Sequence, residues 1–264
     1  DRSSAASDVY KRQAFDKIKI KFSQNKNVLF KGVTSSGKTE IYISLINELL
    51  NSKNQILFLV PEIALTTQLV ERLKIYFAKN LVVYHSGLNI NQRAELWNEI
   101  IKNKKPQVII GARSAVLLPY NKLKLIIVDE EHEQSYKQYE PSPRYHARDA
   151  ALMLGNIHNS NVILGSATPS LESFYNSKIS KKLSLVELNS RFGNIPLPKI
   201  ELINLSDKVK NGKMYGIFSD SLLKRIKDVV DNKKQVILFQ NRRGYSPALE
   251  CNSCGHSPKC INCD

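Results

Sequence analysis

The residues with the clearest chemical capacity form a glycine-rich stretch that could bind the phosphates of a nucleoside triphosphate. Gly32 is followed, after four residues, by Gly37, Lys38 and Thr39. Glycine lets a loop fold tightly around phosphate oxygens, lysine can contact the β- and γ-phosphates, and a threonine hydroxyl can bind magnesium. The alternative is a glycine-rich turn that formed by chance. The residues expected to contact the nucleotide are Gly32, Val33, Thr34, Ser35, Ser36, Gly37, Lys38, Thr39 and Glu40.

A second stretch, at 126–132, ends an apolar run with consecutive acidic residues and reads IIVDEEH. Asp129 could hold the magnesium ion, and Glu130 could orient and deprotonate the attacking water. Taken alone, this stretch could equally be a solvated acidic turn. Its apolar run and the glycine-rich loop upstream favour one shared nucleotide site, in which Lys38 and the two acids are catalytic.

The elements that must position these residues form an alternating series of strands and helices. Short apolar runs predict strands, helical spacing of apolar residues predicts helices between them, and each polar motif follows a strand. This alternation is typical of an α/β fold with a mostly parallel sheet, whose binding crevice lies at the carboxyl ends of the strands. The predicted strands are 27–31, 55–60, 81–84, 107–110, 125–128 and 161–164, and helices are predicted at 39–50 and around Leu73 and Trp97.

Composition and charge indicate a globular protein with a polyanionic partner. The chain has 264 residues, is 42% hydrophobic and has a net charge of +15. This positive charge favours nucleic acid, although a coding bias toward lysine, asparagine and isoleucine would also raise it. No apolar run approaches the ~20 residues of a membrane helix, and there is no secretory signal, so we expect no membrane partner.

The sequence divides into five segments by changes in pattern. The first has no apolar period and is predicted to be a non-native leader, which we exclude from the fold. A glycine and two prolines then mark a linker between two units. The second unit has predicted strands at 199–205 and 235–239 and a helix at 219–230 capped by Ser219. The predicted segments are the leader 1–13, the first lobe 14–185, the linker 186–198, the start of a second lobe 199–250 and a cysteine-rich module 251–264.

The order of these motifs closely resembles the PriA family of primosomal replication-restart helicases, within superfamily 2. The matching stretches are GVTSSGKTE, LVPEIALTTQ, HSG, GARSAV, DEEHEQSYKQ, PRYHARD, GSATPS, QNRRGYSP and a following C-x-x-C-G, which together cover about residues 14–264. DEEH and GSATPS are shared across superfamily 2, whereas QNRRGYSP before paired cysteines is far more specific. The resemblance implies a RecA-like P-loop NTPase lobe, then the start of a second RecA-like lobe with a partial zinc-binding insertion.

The resemblance also implies ATP and Mg²⁺ as cofactors and single-stranded and forked DNA as partners. In this family His132 and the Ser166–Thr168 turn couple nucleotide state to DNA, so His132 joins the catalytic set. Arg113 and the PEIALT and GARS loops would hold the backbone of single-stranded DNA. The stretch 136–145 resembles an aromatic-rich loop, whose tyrosines and cations would stack on bases and hold phosphates. Packing of these tyrosines under a surface loop is the alternative. The implied DNA-binding residues are Arg113, Tyr136, Lys137, Tyr145, Ser166 and Thr168.

The four cysteines form two C-x-x-C pairs near the end of the sequence, at Cys251, Cys254, Cys260 and Cys263. This spacing lets two thiolates bind one zinc ion. The four could make a single tetrahedral site, although the five residues between the pairs form a short loop. The family instead implies four such pairs and two Zn²⁺ per full-length chain, which would leave both sites incomplete here.

The function that the resemblance implies is an ATP-dependent 3′–5′ DNA helicase or translocase that acts in replication fork restart through primosome assembly. Primosome proteins and single-strand-binding protein are the implied partners, in a bacterial cytoplasm. We expect the chain to be truncated within the second lobe and to lack a late arginine motif, so the fragment itself would be inactive or weak. The alternatives are another superfamily 2 DNA translocase of repair or restriction, or a non-catalytic nucleic-acid or primosome docking module.

Overall fold

The computed structural model divides the chain into two compact units, Asp1–Leu197 and Pro198–Asp264. The residues that the structure describes are 2–50, 53–62, 67–189, 191, 196, 198–239 and 253–254. The motifs of the predicted nucleotide site all lie in the first unit.

The first unit is built on one parallel sheet with helices along it. Its strands are β1 (Val28–Gly32), β2 (Gln55–Leu59), β3 (Leu81–Tyr84), β4 (Gln107–Gly111), β5 (Leu123–Asp129), β6 (Asn161–Ser166) and β7 (Ser184–Leu188). Its helices are α1 (Arg2–Ser23), α2 (Lys38–Leu49), α3 (Thr67–Phe77), α4 (Ile90–Lys102), α5 (Ala147–His158) and α6 (Leu171–Lys178). The strand order is β3-β4-β2-β5-β6-β1-β7, and every neighbouring pair is parallel.

The continuous apolar character of the central strands reflects burial on both faces of the sheet. Ile56 and Phe58 of β2 belong to a core with residues of α1, α2 and α3, whereas Leu57 and Leu59 belong to a second core with residues of α5. Successive side chains of a strand point to opposite faces, so a strand covered on both sides must be apolar throughout. The predicted α/β fold with a mostly parallel sheet is therefore confirmed.

Both ends of this sheet region differ from the boundaries predicted from the sequence. Helix α1 runs through most of the leader that was excluded from the fold, 1–13. At the other end, β7 pairs with β1 and extends to Leu188, three residues into the predicted linker 186–198. The polar residues of this short strand weaken its pattern, and pairing with a neighbour stabilises it instead. Whether the leader is native stays a prediction.

The second unit has less regular structure than its sequence pattern predicts. It contains α7 (Leu205–Lys210), a hairpin of β8 (Met214–Tyr215) and β9 (Phe218–Ser219), and α8 (Asp220–Asp231). The predicted helix and its cap are confirmed, because the Ser219 hydroxyl accepts a hydrogen bond from the Leu222 amide. The predicted strands at 199–205 and 235–239 are wrong for this structure. A strand is stabilised by pairing, and the described residues provide no partner strand for either segment.

None of the described helices combines the length and the apolar character that crossing a membrane requires.

Candidate nucleotide and nucleic-acid site

The glycine-rich loop connects the end of β1 to the start of α2. Its backbone enters the left-handed region at Gly37, with a φ of 91°, and at Ser35, with a φ of 63°. A methyl group added to Gly32 would lie 2.8 Å from the Ser36 hydroxyl oxygen and from the Lys38 side chain. Both glycines are therefore needed, one for its backbone conformation and the other for close approach within the loop.

The acidic stretch at the end of β5 meets this loop in one cavity. The Lys38 ammonium lies 3.5 Å from a carboxylate oxygen of Glu130 and donates a hydrogen bond to the Gly32 carbonyl at 3.2 Å. The cavity has a volume of about 360 Å³, within the range of roughly 300–1,000 Å³ typical of small-molecule sites. Its lining includes Val33, Thr34, Ser35, Ser36, Gly37, Lys38, Thr39, Glu40, Asp129 and Glu130. The structure thus brings together the two stretches that the sequence analysis assigned to one site.

The residues of this cavity fit a bound magnesium–nucleotide complex. The Ser36 hydroxyl is buried and has no hydrogen-bond partner among the described residues. A buried polar atom without a partner is costly, and a phosphate oxygen would satisfy it. The Lys38 ammonium and the N-terminus of α2 favour the negative charge of phosphates, while Asp129 and Thr39 supply oxygen ligands of the kind that Mg²⁺ prefers.

Two tyrosine hydroxyls that the sequence analysis missed hold Asp129 in place. The Tyr42 hydroxyl donates to a carboxylate oxygen of Asp129 at 3.1 Å, and the Tyr136 hydroxyl donates to its backbone carbonyl at 2.6 Å. The pKa of Asp129 is raised from 3.8 to about 6, mainly by burial and then by the charge of Glu130, while Lys38 and Tyr42 lower it. The helical spacing of α2 places Tyr42 on a buried face, but the sequence does not show what its hydroxyl meets.

Glu130 adopts a backbone conformation that is uncommon for a residue with a side chain. Its φ is 48°, in the left-handed region, which costs of the order of 1–2 kcal/mol outside glycine. Such strain persists only where neighbouring contacts fix it, and it is common at functional sites. Here it accompanies the approach of the Glu130 carboxylate to Lys38.

His132 joins the acidic stretch to the turn that follows β6. Its ring nitrogen Nδ1 lies 2.8 Å from the Ser166 hydroxyl, and the same hydroxyl accepts a hydrogen bond from the Thr168 amide at 2.9 Å. Nδ1 is also 3.7 Å from a carboxylate oxygen of Glu130. The residues predicted to couple nucleotide state to DNA are therefore in contact with one another and with the candidate base.

Glu131 and Arg148 form a buried ion pair that was not assigned a role from the sequence. The two side chains are 3.3 Å apart, and Glu131 is 0% exposed. Glu131 lies between the partly exposed Glu130 and His132, and Arg148 lies in the first turn of α5. Glu131 belongs to the DEEH motif and Arg148 to the PRYHARD motif, so both were noted in the sequence. A sequence does not, however, distinguish a buried carboxylate from a solvated one.

The stretch 136–145 forms a loop that folds back on itself, closed by a bridge between Lys137 and His146. The Gln138 side chain spans it, donating to the carbonyls of Pro141 at 2.8 Å and Pro143 at 3.0 Å. At its outer surface the Lys137 ammonium lies 4.8 Å from the centre of the exposed Tyr139 ring. Both the cation and the ring are exposed, which a base-stacking loop requires.

The other aromatic and cationic residues predicted to bind DNA are less exposed. Tyr136 is 0% exposed, so its predicted stacking on a base is wrong for this structure, and packing beneath the loop is the correct alternative. Tyr145 is partly buried, which raises the pKa of its hydroxyl, while Arg113 opposes the rise. Arg113 itself lies 3.4 Å from the carbonyls of Ser135 and Lys137 and so supports the base of the loop.

Several predicted site residues lie outside the described residues. These are most of the PEIALT stretch (63–66), the QNRRGYSP stretch (240–247), and Cys251, Cys260 and Cys263. Cys254 is described and is an exposed free thiol. Within the described ranges, no group of three or more histidine, cysteine or acidic residues could hold a metal ion. The zinc module stays a prediction.

Comparison with known proteins identifies the family. The family model for "DEAD/DEAH box helicase" matches residues 9–176. The chain is 39% identical over 255 residues to "Replication restart protein PriA" of Bacillus subtilis, covering 96% of the chain and 31% of that relative. It is 43% identical to the protein of the same name from Haemophilus influenzae, covering 96% of the chain and 34% of the relative. The chain thus spans about a third of the length of these curated relatives.

The solved structures support the fold alone. The structure of RecG bound to a three-way DNA junction matches with a TM-score of 0.50 and 18% sequence identity, covering 77% of this chain and 26% of RecG. At this identity the match supports only the α/β architecture.

Proposed function

Because the chain belongs to the DEAD/DEAH box helicase family, we propose that it forms the nucleotide-hydrolysing part of a 3′–5′ DNA helicase that acts in replication restart. The observation that carries this proposal is the meeting of Lys38 and Glu130, 3.5 Å apart, in a cavity that Asp129 also lines. Members of this family use ATP and Mg²⁺. The name shared by the relatives, replication restart protein, supports the process in which the helicase would act.

The loop backbone and four side chains of the cavity have roles that their positions support. The loop amides and Lys38 would hold the phosphates, and Asp129 with the Thr39 hydroxyl would hold the metal. Bound Mg²⁺–ATP would supply the phosphoanhydride bond whose hydrolysis provides the free energy. The Glu130 carboxylate would orient the attacking water and accept its proton. Tyr42 keeps the carboxylate of Asp129 in one orientation through its hydrogen bond.

The DNA partner is supported by charge and by exposed groups near the cavity. The net charge of +15 favours a polyanion, and the exposed Tyr139 and Lys137 offer stacking and phosphate contacts. Tyr136, which precedes Lys137, donates a hydrogen bond to the Asp129 carbonyl and so connects this loop to a residue of the cavity. We extend the proposal to single-stranded and forked DNA, with primosome proteins and single-strand-binding protein as partners in a bacterial cytoplasm, and to two Zn²⁺ bound by the cysteine pairs of a longer chain.

A non-catalytic docking module is less well supported than an enzyme. Lys38, Asp129 and Glu130 line one cavity, and Glu130 has a strained backbone there. A module without hydrolysis would have no need of this arrangement. Another DNA translocase of superfamily 2 would use the same cavity, so preference for forked DNA separates the two enzymes.

The test uses a version of the protein extended to the length of its curated relatives. Lys38→Ala should abolish binding of a fluorescent ATP analogue. Glu130→Gln should bind the analogue with an affinity within about threefold of the parent and lose about 100-fold or more in turnover, because it removes only the base. Lys26→Ala, which removes an exposed cation away from the cavity, is the control. Full turnover by Glu130→Gln would contradict the assignment of the base, and ATP binding by Lys38→Ala would contradict the site.

A further inference from the structure

The buried carboxylate of Glu131 accepts hydrogen bonds from the chain that follows β6. One oxygen accepts from the Ser170 amide at 2.7 Å. The other accepts from the Ser173 hydroxyl at 2.8 Å, the Ser170 hydroxyl at 3.1 Å and the Arg148 guanidinium at 3.3 Å. Four donors on one fully buried carboxylate fix both its position and its rotation, because a buried charge needs hydrogen bonds to offset its loss of solvation.

These contacts join three separate segments of the chain. Glu131 belongs to the acidic stretch after β5, Arg148 to the first turn of α5, and Ser170 caps the N-terminus of α6. The Glu131 amide also donates to the carbonyl of Gly165 at 3.0 Å. Arg148 in turn donates to the Ser170 hydroxyl at 2.8 Å. The acidic stretch and the turn after β6 are therefore held together at a buried point.

The neighbouring contact between the same two segments is of a different kind. His132 and Ser166 are joined by one hydrogen bond, 2.8 Å long, between a partly exposed ring and a buried hydroxyl. A single bond of this kind contributes only about 1 kcal/mol and does not by itself fix the separation of two loops. The buried contacts of Glu131, one residue away, supply that constraint.

We propose that Glu131 and Arg148 are positioning residues that hold the acidic stretch against the turn after β6, so that the His132–Ser166 contact transmits DNA binding to the nucleotide cavity. The inference rests on the proposed function. It assigns a role to a pair that touches neither nucleotide nor DNA. A purely structural ion pair would stabilise the fold without affecting the coupling between DNA and hydrolysis.

The structure supplies a matched pair of variants for the test. Glu131 and Glu172 both place a carboxylate oxygen near the same Arg148 nitrogen, at 3.3 Å and 3.9 Å, but Glu172 is 70% exposed on its side chain. Glu131→Gln keeps the size of the side chain and leaves Arg148 paired with Asp149 at 2.9 Å. Glu172→Gln removes the same charge from the solvated side.

The measurement is ATP turnover with and without single-stranded DNA, in the protein extended to the length of its relatives. Glu131→Gln should lower the DNA-stimulated turnover about tenfold and change the nucleotide dissociation constant less than twofold, a size typical of coupling between sites. Glu172→Gln should change neither quantity. Stimulation within twofold of the parent in a folded Glu131→Gln variant would overturn the proposal.

Two further variants separate positioning from a loss of folding. Adding Ser166→Ala to Glu131→Gln should reduce stimulation no further than Ser166→Ala alone, because both act through one contact. Additive losses would overturn the proposal. If Glu131→Gln does not fold, Ser173→Ala removes one donor and should reduce stimulation about threefold, and an unchanged value would overturn it. A parent with no DNA-stimulated turnover would instead refute the proposed function, and this inference with it.

Discussion

The raised pKa of Asp129 predicts that the candidate metal ligand destabilises the folded protein when no metal is bound. Burial raises this pKa from 3.8 to about 6, so the folded state binds the proton more tightly than the unfolded chain does. The stability that protonated Asp129 contributes is complete below pH 3.8 and is lost as the pH rises through about 6. At neutral pH Asp129 is therefore mostly ionised in both states, but its ionisation costs more free energy in the folded protein than in the unfolded chain.

Asp129→Asn should remove this cost, because asparagine is neutral at every pH and can accept the same hydrogen bond from Tyr42. A rise in the pKa from 3.8 to about 6 corresponds to a destabilisation of the folded protein by about 3 kcal/mol at pH 7.5. Solvent in the open cavity screens part of this, so we expect the variant to gain about 2 kcal/mol in free energy of unfolding. The gain should be about half as large at pH 5, where the parent is mostly protonated when folded.

The assay is urea unfolding of the chain in EDTA at pH 7.5 and pH 5, followed by the fluorescence of Trp97 and by circular dichroism. Trp97 is the only tryptophan and lies on α4 of the first unit, so it reports on the sheet that carries the cavity. Asp16→Asn, the same substitution at an exposed position of α1, is the control and should change stability little at either pH. Magnesium and ATP should stabilise the parent and not the variant.

A stability gain that does not depend on pH would refute the reasoning, because linkage allows a gain from Asp129 only where the folded and unfolded chains differ in protonation. A loss of stability at pH 7.5 would refute it as well, since it would mean that the ionised carboxylate stabilises the fold.

Two further predictions concern the tyrosines around the site. A methyl group in Gly165→Ala would overlap the Tyr42 hydroxyl, so the melting temperature should fall with a loss of about 3 kcal/mol. Adding Tyr42→Phe should recover part of that loss, and an unchanged melting temperature would contradict the packing described. Tyr136→Phe should cost about 1 kcal/mol of stability and leave single-stranded DNA affinity unchanged, whereas Tyr139→Ala should weaken that affinity by about 1 kcal/mol. The reverse pattern in a fluorescence anisotropy titration would contradict the assignment.

The convergence of the two nucleotide motifs could be predicted from the sequence because it depends on local rules. Strands that read as continuous apolar runs belong to a parallel sheet, and residues after such strands meet at one edge. The glycine spacing predicted the loop for a similar reason, because glycine adopts a positive φ such as the 91° of Gly37 without steric cost. Lys38 and Glu130 could therefore be placed in one cavity before any coordinates were known.

The environment of Tyr136 and Glu131 could not be predicted in the same way. Tyrosine near lysine and arginine is typical of a stacking surface, yet the Tyr136 ring packs in the second core of the sheet. Glu131 reads like its acidic neighbours but is fully buried. The burial of both side chains depends on which residues distant in the sequence pack against them or bond to them. The spacing of residues in a single sequence does not reveal those contacts. The strands expected at 199–205 and 235–239 differ for a related reason, because strand propensity needs a paired neighbour to take effect.

The position of β6 within the sheet has a consequence for how signals reach the cavity. This strand lies between β1 and β5, with Gly165 opposite Asp129 and Ser166 opposite Lys31. Its last residues are thus about 4.8 Å from the strand ends on either side that lead into the two walls of the cavity. A sideways displacement of the turn would press on one wall and withdraw from the other. A nucleic acid bound at this turn could therefore influence a nucleotide in the cavity directly, because β6 is the immediate neighbour of both strands that lead into the cavity walls.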